Sequence, residues 1–159
     1  MRCHDARVNR RCAKRPTVSR ILVVELTLLE KQMPLARIDL VRGRSADYKH
    51  TIADVVYEAM LDTLKAPAND RFQVISEHAP ESRVADENYL GIKRTQDCVF
   101  IQLTISVGRT VEQKKAYYKA VADGLHDRLG LRREDVFINL VEVAKENWSF
   151  GNGVAQYVS

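Results

Sequence analysis

An internal repeat constrains this chain more than any other feature. Residues 41–79 lie over residues 106–144 at a constant offset of 65, with no gap. Gly43-Arg44-Ser45 falls on Gly108-Arg109-Thr110, Lys49 on Lys114, Val56 on Val121 and Leu64 on Leu129. Asp70 and Phe72 then fall on Asp135 and Phe137, and Glu77 on Glu142. Identity is low, but the turn residues, the helix length and the start of the following strand all stay in register. One supersecondary unit used twice accounts for that pattern and limits the folds open to the chain.

The first unit reads as strand, helix, strand. Across Leu35–Val41, Ala36, Ile38 and Leu40 share one face while Arg37 and Asp39 take the other, the alternation of a half-buried strand. Ser45 can cap a helix by accepting orphan backbone N–H groups. Ile52, Val55, Val56, Ala59, Met60 and Leu64 follow at helical spacing, and Pro67 stops the run. Residues 71–77 read as the return strand. A helix of this length between two strands requires a parallel, right-handed crossover.

The second unit repeats the first. Residues 98–107 form a strand with Val99, Ile101, Leu103 and Ile105 on one face. Thr110 and Gln113 make a capping box, Tyr117, Val121, Leu125 and Leu129 an apolar stripe, and Gly130 the helix stop. Val136–Val143 is the last strand. Residues 79–97, with Pro80, Gly91 and several charges, read as a long connection with a short hairpin around Tyr89-Leu90. A connection of that length often serves as a lid or a subunit contact. The expected fold is α+β: two tandem β-α-β units forming a four-stranded sheet with both helices on one face. The other face stays uncovered in a single chain. Because the strands read as strongly apolar, that face is expected to need a partner.

At 159 residues the chain is one domain, or one domain plus a tail. The net charge of +4 belongs to the tail. Residues 1–33 hold eight of the 25 basic side chains and three of the 21 acids, so they carry +5 and the remainder −1. Nucleic-acid binding is therefore not expected of the folded part. Residues 1–33 read as an extension, either disordered or translated upstream of the true start codon, with an organellar transit peptide as the weaker alternative. Residues 34–159 are the folded domain. No apolar run approaches the roughly 20 residues that span a bilayer, so no membrane association is expected. Three cysteines without framework spacing fit a reducing, cytoplasmic setting. His4, His50, His78 and His126 are scattered and show no zinc spacing, so no metal is expected.

Five groups of residues carry a resemblance. They are Met33-Pro34-Leu35, residues 70–78 (Asp-Arg-Phe-Gln-Val-Ile-Ser-Glu-His), Gly91-Ile92 with Arg94-Thr95, Gly108-Arg109-Thr110 with Gln113-Lys114, and residues 147–153 (Asn-Trp-Ser-Phe-Gly-Asn-Gly). From Met33-Pro34 onward the chain resembles the tautomerase superfamily, and within it the group typified by malonate semialdehyde decarboxylase. The resemblance implies a homotrimer and an amino-terminal proline exposed when the preceding methionine is removed. It places Asp70 near that proline and gives Trp148 and Phe150 the wall of an apolar pocket. Relatives of this type often carry another arginine before the Gly-Arg pair. Here Ser106 and Val107 stand there, and Ser106 joins Trp148 and Phe150 as a candidate substrate-binding residue.

The chemistry of these residues can be weighed on its own. A proline at the amino terminus is a secondary amine with a usable lone pair, suited to general-base work near neutrality. Inside a chain its nitrogen is an amide and cannot take a proton. Pro34 is thus catalytic in a chain that begins there, or it simply starts an edge strand. Asp70 either assists catalysis or, like its repeat partner Asp135, shapes the turn into a strand. The Arg109 guanidinium can grip a carboxylate bidentately beside a helix start, or it matches Arg44 as a surface cation. Trp148 and Phe150 serve equally well as core or interface aromatics. The leading expectation is a cofactor-independent tautomerase acting on an enol or keto carboxylic acid, with Pro34 as base, Arg109 as carboxylate clamp and Asp70 assisting. A decarboxylase or hydratase of a 3-oxo or unsaturated acid is the alternative enzyme, and a non-enzymatic trimeric binding protein with a blocked proline is the alternative class.

Overall fold

The computed structural model describes residues 33–158; the reading of residues 1–32 as an extension lies outside the described residues. The elements run β1 (Leu35–Val41), α1 (Ala46–Leu64), β2 (Phe72–His78), β3 (Val99–Ser106), α2 (Val111–Leu129) and β4 (Val136–Val143). The sheet order is β2-β1-β3-β4. Each unit pairs its own strands in parallel, and the units meet antiparallel through β1 and β3. This is the two-unit β-α-β sheet expected from the repeat.

The offset of 65 holds in three dimensions. The two 19-residue helices begin and end at matched positions. Ser45 accepts the Tyr48 N–H, and Thr110 accepts the Gln113 N–H within a full capping box. Lys49 pairs with Glu77 and Lys114 with Glu142, each at 2.8 Å. Both helices close on a left-handed residue, Gly130 in the second unit and Lys65 in the first. The first helix therefore ends at Leu64, three residues before Pro67, and its cap Lys65 takes a conformation that a glycine would adopt more easily.

Both helices pack on one face. Ile75, Ile38, Ile101 and Ile138 stand side by side across all four strands on that face. They join Ile52, Val56, Met60, Tyr117, Val121 and Leu125 of the helices in a single core. Gly124 lets the helices approach closely, since a Cβ there would lie 2.8 Å from a Val55 methyl.

The open face is less apolar than the sequence reading held. Phe72, Val74, Phe100 and Phe137 lie on it, but Arg37, Gln102 and Asn139 stand side by side on it across three strands. His78 Nε2 lies 2.6 Å from Asp39 there. Two further expectations change. The segment around Tyr89-Leu90 is not a hairpin but a short 3-10 turn, Tyr89–Gly91, with Leu90 in the left-handed region. Pro34 does not start an edge strand, because β1 is flanked by β2 and β3.

Candidate active site

Pro34 is buried immediately before β1. Two cavities meet beside it, sharing Met33 and Phe72. One, of about 240 Å³, is lined by Pro34, Leu35, Trp148, Ser149 and Phe150 as well. The other, of about 380 Å³, adds Pro67, Asn69, Asp70 and Tyr157.

Asp70 sits on the turn between α1 and β2. Asn69 before it is left-handed, with φ 67°, and its N–H donates to the Tyr57 hydroxyl at 2.9 Å. That bond fixes the turn and the direction of Asp70. Asp70 is only 6% exposed, and neither carboxyl oxygen has a hydrogen-bond partner among the described residues. Burial pushes its pKa up to about 6. A buried carboxyl left unpaired costs stability and is found mainly where a reaction or ligand uses it.

Its repeat partner shows the contrast. Asp135 is fully buried and accepts the Thr95 N–H at 2.6 Å and the Thr95 hydroxyl at 2.8 Å. Asp135 shapes the turn, whereas Asp70 has the same place without the bonds. The two arginines diverge as well. Arg44 pairs with Asp97 and lies 5.0 Å from the Tyr48 ring centre. Arg109 turns inward, its Nη1 donating to the Ser106 carbonyl at 3.1 Å and its Nε to the Leu64 carbonyl at 3.4 Å. Burial lowers its pKa, offset by the charges of Glu142 and Tyr157. Gly108, at φ 124°, makes the turn that aims it.

Ser106 stands apart from both cavities. It is fully buried, and its hydroxyl has no hydrogen-bond partner among the described residues. Its carbonyl, not its side chain, meets Arg109.

Trp148 and Phe150 stack with ring centres 5.5 Å apart, and Phe150 meets Tyr157 edge-on at 4.9 Å. They form a wall over Met33 and Pro34 rather than a piece of the core. Sequence reasoning gives no role to Tyr157, which follows the Gly151-Asn152-Gly153 run by four residues. Its hydroxyl accepts the Met33 N–H at 2.8 Å. Burial raises its pKa, Asp70 adds to that and Arg109 opposes it. A lone tyrosine returning after an aromatic, glycine-rich turn was the available signal. Among the described residues, no three His, Cys, Asp or Glu side chains gather as a metal site, and no helix is long and apolar enough to cross a membrane.

A two-unit β-α-β sheet with a proline, an unpaired acid and an inward arginine at one end defines a class, and comparison with known proteins agrees. Two family models described as tautomerase enzyme match residues 70–151 and 34–92. The chain belongs to the tautomerase family. It is 39% identical over 126 residues to the probable tautomerase YusQ of Bacillus subtilis (strain 168), covering 79% of this chain and 99% of that protein. Among solved structures, FG41 malonate semialdehyde decarboxylase inhibited by 3-bromopropiolate is 40% identical, with TM-score 0.73, over 78% of this chain and 94% of that one. A second malonate semialdehyde decarboxylase, with decarboxylase and hydratase activities, is 35% identical, with TM-score 0.72, over 78% and 95%. Within the family the chain thus resembles the malonate semialdehyde decarboxylase group.

Proposed function

We propose that this chain, in a form beginning at Pro34, is a cofactor-independent tautomerase acting on an enol or keto carboxylic acid. The observation that carries the reading is the buried, unpaired Asp70 carboxyl, lining a cavity that adjoins the one lined by Pro34. The Pro34 nitrogen, as a free secondary amine, takes the proton from the enol hydroxyl or the α-carbon and returns it to the other position. The aromatic wall withholds water, disfavours the ammonium form and keeps the amine unprotonated near neutrality, free to accept a proton. Arg109 holds the substrate carboxylate and stabilises the enediolate. Asp70 and Tyr157 orient the hydroxyl or a water. The working molecule is a homotrimer whose open sheet faces meet.

The test compares the full chain with a form beginning at Pro34, following enol-to-keto conversion by ultraviolet absorbance. Only the second should turn over, and Pro34→Ala in it should lose about 10²–10⁴-fold, the usual worth of a positioned general base. Equal rates from the blocked and the free proline would overturn the reading.

A second reading is a decarboxylase or hydratase of a 3-oxo or unsaturated acid, favoured by the 40% and 35% identical decarboxylase structures. It needs Pro34 protonated. The pH-rate profile separates the two: a base loses activity as pH falls through its pKa, an acid loses it as pH rises.

A further inference from the structure

The aromatic wall stands on a loop outside the sheet and the long helices. After Phe150 the chain reverses through Gly151, Asn152 and Gly153, at φ 138°, 58° and 68°. Three consecutive residues at positive φ turn the backbone sharply, and two glycines leave that turn little intrinsic stiffness. The returning leg then delivers Tyr157. One side chain joins the two legs. Gln156 Oε1 accepts the Phe150 N–H at 2.9 Å, and its Nε2 donates to the Gly151 carbonyl at 2.8 Å. The two bonds require one acceptor and one donor on a single planar group, which a primary amide supplies and a carboxylate does not. Gln156 thereby ties the Phe150 end of the loop to the Tyr157 end, where the two rings already meet edge-on.

We propose that Gln156 is a positioning residue of the site: its amide latches the loop so that Phe150 and Tyr157 stand against Met33 and Pro34. The catalytic consequence rests on the tautomerase reading; the latch itself rests on geometry alone. Both bonds lie at the surface, where water competes for them, so the latch is soft and its loss should loosen the wall without unfolding the domain.

Trp148 is the only tryptophan of the chain and stacks on Phe150, so its emission reports the wall directly. In the full chain, Gln156→Ala should raise acrylamide quenching of Trp148 about twofold, with far-ultraviolet dichroism unchanged, as expected for local opening. Gln156→Glu divides the latch. Its carboxylate repels the Gly151 carbonyl, but once protonated, below about pH 4, it can donate again. Quenching of this variant, read against the parent at each pH, should be near parental at low pH and rise toward the alanine level above about pH 5. In the catalytically active form, Gln156→Ala should lower kcat several-fold more than it changes KM. It should also move the acid limb of the pH-rate profile upward, because water admitted at the wall solvates the Pro34 ammonium. Parental quenching in Gln156→Ala at every pH overturns the latch. Altered quenching with parental kcat and pH profile overturns the positioning role. Altered quenching in a protein whose parent converts no enol acid leaves the latch standing and removes the tautomerase reading instead.

Discussion

Asp70 and Asp135 show how far one residue's chemistry depends on its neighbours. The sequence places both acids before a strand, at matched positions, and only the family resemblance, not their local context, singles out Asp70. The difference is made by Thr95, forty residues from Asp135 in the chain, whose N–H and hydroxyl satisfy one acid, while the other has no such partner among the described residues. Contacts across such a distance are set by tertiary packing, and that part of the site was not legible. The consequence for Asp70 can be measured. Its pKa is raised in the folded state from an ordinary value of 3.8 to about 6, so the folded chain holds this proton more tightly than the unfolded one. Its contribution to stability is fully present below about pH 4 and is lost as pH rises through about 6. Asp70→Asn should therefore stabilise the full chain at pH 7.5, by about 2 kcal/mol if most of the shift is desolvation. It should leave stability at pH 4 little changed, while lowering turnover. Urea denaturation of both proteins at the two pH values checks this, and a larger loss for the variant at pH 7.5 would contradict it.

At the level of elements, most of the fold was legible because it depends on local chemistry. The Thr110 capping box, the apolar stripes and the alternating strands each carry their own signal, and the strands and helices form where those signals fall. Readings that failed depended on context. Lys65 ends α1 in a left-handed conformation that its residue type does not advertise, and Leu90 does the same inside a 3-10 turn. Tyr157 was missed because an aromatic wall hung on a glycine turn has no periodicity to read. The packing of α1 on α2 has a sharper requirement than either stripe discloses. A methyl at position 124 would press on Val55, which is itself buried. Gly124→Ala gains about 1 kcal/mol of helix propensity but incurs about 1–3 kcal/mol of overpacking, so a net loss near 1 kcal/mol is expected. Combining it with Val55→Ala should relieve the clash, and a double-mutant cycle on thermal unfolding should show a favourable coupling between the two positions. Strict additivity would mean that the helices do not meet there as described.

For the whole molecule, the open sheet face remains the largest question of assembly. Its apolar residues include Phe72 and Val74 on β2, Leu35 on β1, Phe100 on β3 and Phe137 on β4, with Arg37, Gln102 and Asn139 among them. Sedimentation equilibrium should give a three-chain mass, and Phe137→Asp should lower it by placing an unpaired charge where another copy packs. A single-chain mass for the parent would contradict the proposed trimer. The matched ion pairs Lys49–Glu77 and Lys114–Glu142 show that both halves keep the same scaffold, although only one end gathers the candidate chemistry. The chain therefore contains its own control experiment. The same exchange of aspartate for asparagine, made at 70 and at 135, should strengthen the protein in one half and weaken it in the other. The sign of the change in stability would then tell a working acid from a building one without reference to any substrate.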